Sequence, residues 1–429
     1  MIKNRRVKAD CKIYQMLKKQ ARKKHISFHT PGHKNAKWDI TELAYSDNLS
    51  CPNGVIAQAE NDITALLGAH KSFILTDGST CGVLSMLHAA KSLGVKTVLS
   101  REDAHKSLYN GCALLGLALL LLPDKKENGV PAPLKKDDIP LEMIEKCDAL
   151  FITSPDYYGN IADLTDLSAL CKQNGKFLLI DGAHGGHLRF DKRLYAGAFA
   201  DFWVDGVHKS LPAFTQGAVV SARSEKGAAA LKNALDIFRT SSPSYPIMAS
   251  VEYAVKYPRN KKLESAVKKF AEENDRIYFG GDWTKLIVLF GKKAFGIEKR
   301  LQSEGVFAEF CDGNAICFYL SPAMRYSAFI RLQKRFKRLF IEYPYEQENT
   351  IQRNPAPIVL ENGEVEWVEL TESENRISAN RVGLFPPCIA LIKSGEAITK
   401  EKINLLTQAN NVFGLANGKI AVYKKEEKI

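Results

Sequence analysis

Between residues 72 and 222 short apolar runs alternate with stretches of helical character: SFILT, KTVLS, LALLLL, ALFIT, KFLLID, ADFWVD and GAVVSA. The segments between them, such as TDLSALCKQNG with its terminal Gly175, are helix-like. Runs apolar on both faces and joined by helices belong to a mostly parallel sheet covered on both sides. The pattern therefore predicts seven buried strands in an α/β core. Ligands of such sheets lie beyond the carboxyl ends of the strands, so the residues just after each run are the candidates for a site.

The pattern changes at both ends of this core. Ile13, Met16, Leu17 and Ala21 recur at spacings of three or four, which predicts a helix with one apolar stripe inside a basic segment spanning residues 1–45. Residues 46–256 are expected to form the major domain. After residue 256 the polar, helix-prone stretch YPRNKKLESAVKKFAEENDR leads into LIVLFG and AICFYLSP, so residues 257–429 are expected to form a smaller α+β domain. Residues 343–357 carry prolines and predict a loop. No internal repeat is present.

An apolar fraction of 45% with 25% charged residues excludes disordered and fibrous classes. The net charge of +12 is concentrated at the start, where ten lysines and arginines precede residue 25 against Asp10 alone. A basic arm of this kind can bind nucleic acid, but apart from Tyr14 it has no interleaved aromatic residue, and its stripe predicts a solvated helix instead. The longest apolar run, Cys112 to Leu122, is far short of the ~20 residues of a membrane span. No secretory h-region follows the first charges. Nine scattered cysteines without a CxxC pair suit neither a disulfide framework nor zinc spacing. The expectation is a cytoplasmic protein with no membrane or nucleic-acid partner.

Three strand ends carry chemistry. KFLLID delivers Asp181, a carboxylate able to hold a charged hydrogen bond to a ring nitrogen, as pyridoxal phosphate enzymes require. Past ADFWVD comes Lys209, which can form a Schiff base where its surroundings free the amine. TDGST follows SFILT and opens a helix, so Gly78, Ser79 and Thr80 can present N–H groups and hydroxyls to a phosphate. Alone, each has a plainer explanation: a helix cap, a solvated lysine, a common turn. Their order along one alternating core favours the functional one.

Taken together, FHTPGHK (28–34), DITEL (39–43), TDGSTCG (76–82), AHKS (104–107), DGAHGGHLRF (181–190), DGVHKSLPAFTQGA (205–218), SSPSYPIMAS (241–250) and DWTKL (282–286) resemble the ornithine/lysine/arginine decarboxylase family over nearly the whole chain. FHTPGHK and HKSLPAFTQ are specific to it in combination. The resemblance implies a fold type I, aminotransferase-like enzyme dependent on pyridoxal 5′-phosphate, in a compact form without the amino-terminal wing domain. It implies that Lys209 is the Schiff-base lysine, that His208 helps hold the phosphate with Ser79 and Thr80, and that His105 stacks on the cofactor ring. It further implies that Asp181 is the pyridinium partner, Ala183 the small residue that lets the ring lie flat, and His184 a neighbour of cofactor and substrate. Lys106, in the first of two His-Lys-Ser triplets, is not expected to form the Schiff base. Ser242 and Ser244 lie in a segment that in the family approaches the site of a neighbouring subunit, which implies a homodimer or larger assembly.

The chain departs from the family pattern at Gly182, at Asp156 where a threonine is expected, and at Cys388, Ala390 and Ser394. The last three bear on substrate choice. His29 with His33 and His184 with His187 have zinc-like spacings, but Pro31, Gly32, Gly185 and Gly186 deny them a rigid helical face, so no metal is expected. The resulting expectation is decarboxylation of arginine, lysine or ornithine, with Glu309 one candidate for binding the substrate side chain. The alternatives are another reaction of the same cofactor class, an aminotransferase or lyase, and a catalytically silent regulatory homologue. Intact Lys209, Asp181, His105 and Ser79 argue against the last.

Overall fold

In the computed structural model, which describes residues 4–34, 37–127, 130–344, 364–385, 390–409 and 411–424, the seven apolar runs form one sheet. The strands are β1 (Lys71–Leu75), β2 (Thr97–Arg101), β3 (Ala118–Leu122), β4 (Ala149–Thr153), β5 (Phe177–Gly182), β6 (Phe202–Asp205) and β7 (Ala218–Ala222), in the order β1-β7-β6-β5-β4-β2-β3. The pairs β6–β5, β5–β4, β4–β2 and β2–β3 are parallel, and β7 runs antiparallel to both of its neighbours. Parallel strands need a long crossover. The link from β6 to β7 carries only the single-turn helix Val207–Ser210, so the chain turns back instead.

Side chains alternate across the pleat into two cores. Ile74, Leu150, Ile152, Leu178, Ile180 and Trp203 enter one, with helices Val55–Leu67, Leu164–Gln173 and Tyr245–Val255. Phe73, Leu75, Phe151, Leu179, Phe202 and Val204 enter the other, under helices Gly78–Ser92, Lys106–Leu115 and Glu225–Phe238. This two-sided cover is why the runs are apolar throughout.

The amino-terminal helix Lys12–Gln20 buries Ile13, Met16, Leu17 and Gln20 in the first core, with Ala21 as its C-cap. Its first N–H groups, those of Lys12 and Ile13, donate to the buried Glu252 carboxylate at 2.6 and 2.9 Å, an anion where a helix start favours one. Lys12, Lys18 and Lys19 therefore sit on a helix docked to the body.

Beyond residue 260, helices Lys261–Glu272, Ala294–Ser303 and Tyr326–Glu342 accompany the antiparallel strands β8 (Ile277–Tyr278), β9 (Lys285–Leu289), β10 (Phe310–Cys311) and β11 (Ala315–Tyr319), in the order β8-β9-β11-β10. They enclose a core containing Phe270, Trp283, Phe318, Phe329 and Phe336. From residue 364 a further unit has its own core of Leu370, Val382, Leu384, Ile392, Ile403, Ile420 and Val422. It contains β12 (Val365–Glu369), β13 (Val382–Leu384), β14 (Ala390–Ile392), helix Lys400–Gln408, β15 (Val412–Phe413) and β16 (Lys419–Tyr423). Of the expected proline-bearing loop, residues 345–357 lie outside the described residues, as does Cys388.

Candidate active site

The residues singled out beyond the strand ends arrive at one edge of the sheet. Asp181 is the penultimate residue of β5 and is 3% exposed. Its Oδ1 accepts the Ala183 N–H at 3.0 Å. Burial raises its pKa against the opposing pull of Lys209 and of that N–H, so a cation held against it would be strongly favoured.

Lys209 lies in the short helix after β6, with Nζ 3.2 Å from His184 Nε2. An ammonium has only donors, so it requires Nε2 to accept and Nδ1 to carry the imidazole hydrogen. His184 Nδ1 is buried with no hydrogen-bond partner. Burial holds the His184 pKa well below its ordinary value, and the charges of Lys209 and Lys285 lower it further. The rings of Tyr157 and Tyr319 make T-shaped contacts with this imidazole at centroid distances of 5.0 and 5.4 Å.

His105 caps the helix Lys106–Leu115, and its Nδ1 accepts the Ser107 N–H at 3.2 Å. Burial, then the charges of Lys209 and Lys106, lower its pKa to about 3, which leaves a flat neutral ring. The adjacent Lys106 is exposed, 5.9 Å from the Phe385 ring. The two His-Lys-Ser triplets thus differ in kind: one lysine lies at the surface and the other in the buried cluster.

The TDGST turn completes the edge. Gly78 adopts φ +77°, which opens the turn into the helix Gly78–Ser92. Its N–H donates to the Gln216 carbonyl at 2.9 Å, so the expectation that Gly78 presents this group to a phosphate is corrected. The N–H groups of Ser79 and Thr80, which have no intrahelical acceptor, remain there with their hydroxyls. His208 donates to the next carbonyl, that of Gly217, from both its N–H (3.1 Å) and its Nδ1 (2.9 Å). Residues 216 and 217 therefore tie the helix of Lys209 to the turn. Thr240 N–H reaches Asp77 Oδ2 at 3.4 Å, which brings the root of the loop carrying Ser242 and Ser244 to the same turn; Ser242 is exposed and Ser244 half-buried.

This donor set fits pyridoxal phosphate. An acid and two imidazoles interact with one lysine amine, and residues 216 and 217 join that group to a helix start. The backbone beneath is drawn in close: a Cβ on Gly206 would stand 2.6 Å from the Ala183 carbonyl oxygen. The orphaned His184 Nδ1 and the buried, unpartnered Thr153 Oγ1 at the end of β4 are polar atoms of the kind a bound group satisfies.

Family comparison decides the class. The family signature described as Orn/Lys/Arg decarboxylase, major domain, matches residues 36–278, more than half of the chain, and the C-terminal domain of the same family matches residues 333–413. The chain belongs to the Orn/Lys/Arg decarboxylase family. It is 28% identical to the uncharacterized protein YaaO of Bacillus subtilis over 96% of this chain and 97% of that one. It is 26% identical to an arginine decarboxylase of the same organism over 92% of both. Among solved structures, the lysine decarboxylase of Francisella novicida has a TM-score of 0.75 at 19% identity, with 96% of this chain and 80% of that chain covered. The constitutive lysine decarboxylase of E. coli gives 0.71 at 18% identity, with 96% and 82% covered. The fold is that of the fold type I pyridoxal phosphate enzymes, and the family is one of amino-acid decarboxylases.

Some residues around this candidate site had no role in it assigned from sequence. His187 Nε2 meets Asp282 Oδ1 at 2.7 Å, both side chains buried. Lys285, 1% exposed, lies 3.4 Å from Asp282 Oδ2 and 4.3 Å from the Tyr319 ring centroid. The signal was DWTKL, an acid and a lysine three apart, but nothing local shows that they bury together under the site. Asp156, in the threonine's place, builds the turn after β4 by accepting the N–H groups of Tyr158 (2.8 Å) and Asn160 (2.9 Å). Glu309 is exposed, and its N–H pairs with the Cys317 carbonyl. His33 pairs with Asp39 at 3.0 Å. Among the described residues no three metal-ligating side chains come together.

Proposed function

We propose that this protein is a pyridoxal 5′-phosphate-dependent decarboxylase of a basic amino acid, releasing a polyamine-related amine. The observation that carries the reading is the convergence of Asp181, His105, His184 and Lys209 beside the start of helix Gly78–Ser92. Ser79 and Thr80 would receive the phosphate, with His208 and Gly78 shaping the turn. His105 would lie on the ring, Asp181 would pair with the ring nitrogen and Ala183 would leave it room. Once bound through Lys209, the cofactor supplies an electron sink that lets the α-carboxylate leave as carbon dioxide.

The rest falls to the side chains. Asp181 holds a buried negative charge whose cost a cationic partner offsets. His184 Nε2 orients Lys209 Nζ, and the rings of Tyr157 and Tyr319 keep water from that pair. Among the possible substrates arginine leads, because the B. subtilis relative matched over 92% of its length is an arginine decarboxylase; lysine and ornithine are the others.

The proposed domain division is a basic amino-terminal segment (1–45), a cofactor-binding domain (46–256) and a carboxyl-terminal part (257–429). The scattered cysteines support a cytoplasmic location, and among the described residues no helix is long and apolar enough to cross a membrane. At least a homodimer is proposed, with Ser242 and Ser244 at the shared edge; the exposure of Ser242 supports it.

Mass spectrometry of products tests the reading: the purified protein with pyridoxal phosphate is incubated with equimolar arginine, lysine and ornithine, beside Lys209→Ala. One amine, absent with the variant, is expected. Amine formed equally by the variant, or none from any substrate by the wild type, would overturn it.

A further inference from the structure

We infer that Arg381 and Lys393, in the carboxyl-terminal unit, are positioning residues that hold the loop carrying His105; the inference rests on the proposed place of that imidazole on the cofactor ring. Residues 102–105 join β2 to the helix Lys106–Leu115 without regular structure, and Glu102 is their joint. The Glu102 N–H donates to the Leu122 carbonyl at 3.1 Å. Its own carbonyl accepts from the Tyr109 hydroxyl at 2.7 Å and from Arg381 Nη2 at 3.4 Å. Its carboxylate pairs with Lys393, whose Nζ also lies 3.6 Å from Asp124 Oδ2.

The same unit grips the far side of His105. The Arg381 guanidinium lies 3.3 Å from the centroid of the Tyr109 ring, the ring whose hydroxyl holds Glu102. Lys106 faces Phe385 at 5.9 Å. Both cations come from one antiparallel pair: Val382 of β13 is opposite Ile392 of β14, and Arg381 and Lys393 are the residues just outside that pairing. The Lys393 and Glu102 side chains are 20% and 10% exposed, so the pair is shielded and unlike a solvated surface bridge. A stacked imidazole needs its backbone held to within about 0.5 Å. The major domain holds the start of the loop through the shielded Arg101–Asp103 pair and through the Leu122 and Tyr109 bonds to Glu102. The carboxyl-terminal unit adds a second restraint, through contacts at residues 102, 106 and 109 that straddle His105 on both sides.

The test uses the full-length protein with Lys393→Met, Arg381→Met and the conservative Lys393→Arg. Two quantities are read: hydrogen–deuterium exchange of residues 101–109 without cofactor, and pyridoxal phosphate affinity by absorbance titration. Both Met variants should speed exchange in that peptide by about 5-fold or more while peptides of β5 and β6 stay unchanged, and should weaken cofactor binding by a similar factor. Lys393→Arg should restore both. Unchanged exchange in folded Met variants would overturn the inference. Should the Met variants fail to fold, Glu102→Gln removes the same pair from the other side, and unchanged exchange in it overturns the inference equally. A wild type that binds no cofactor refutes the proposed function instead, and the exchange comparison still decides whether the clamp exists.

Discussion

His187 Nε2 stands 2.7 Å from Asp282 Oδ1 with neither side chain more than 1% exposed. The contact fastens the turn after β5, two residues past the Ala183–His184 pair and its glycine, to the start of β9. Asp282 also accepts the Thr284 N–H and hydroxyl, both at 2.8 Å.

Asp282→Ala is therefore expected to lower stability by about 3–5 kcal/mol, because it leaves the Lys285 ammonium buried without its counter-charge and His187 Nε2 without its hydrogen-bond partner. Urea unfolding measures it. Burial alone would raise the Asp282 pKa, but His187, Lys285 and the Thr284 N–H bring it below the ordinary carboxylate range. Its contribution is thus present above that range and lost as pH falls through the depressed value. Asp282→Asn should accordingly flatten the acid limb of the stability profile.

Asp156 behaves in the opposite way. Burial raises its pKa to about 7, against the hydrogen bonds from Asn160. The unfolded chain loses this proton at roughly pH 3.9, so stability should fall as pH rises from there to about 7 and be level above it. Thermal melts of wild type and Asp156→Asn across this window should differ in slope. Parallel profiles would refute the shift.

Gly206→Ala should damage the site without touching a reactive group. The new Cβ meets the Ala183 backbone carbonyl oxygen at 2.6 Å, so the backbone at Ala183 must move. Overpacking of this kind costs about 1–3 kcal/mol. Weaker pyridoxal phosphate binding alongside a lowered melting temperature is the expected pair of results.

Asp181→Asn keeps the shape and removes the charge. Loss of one charge-assisted hydrogen bond of about 1.5–3 kcal/mol predicts cofactor binding weaker by roughly 10–100-fold. Because burial already disfavours the anion, the folded apoprotein should be no less stable than wild type. Equal cofactor affinity in wild type and variant would remove Asp181 from the proposed site.

Much of this was legible in the chain. All seven runs of the sheet are strands, since a segment apolar on both faces has few alternatives to burial between two helical layers. Asp181 and Lys209 became candidates because the rule for such sheets points to strand ends, and motif resemblance favoured a site over an ordinary cap and an ordinary lysine. Gly78 shows where local reading stops. TDGST correctly marks a helix start, but the use of its N–H depends on the Gln216 carbonyl more than a hundred residues away.

What the sequence by itself determined is whatever depends on near neighbours: strand and helix runs, the docked amino-terminal stripe, the order of chemical groups and the family. What only the tertiary structure decided is which distant charges share a low-dielectric space. His187 with Asp282, and Arg381 and Lys393 on Glu102, are pairings across roughly 95 to 290 residues, and Lys285 lies beneath Tyr319, itself 34 residues away. No periodicity encodes them, because a charged residue looks alike in sequence whether it is solvated or buried. Only the packing of the sheet against the later units removes the water and makes each partner obligatory.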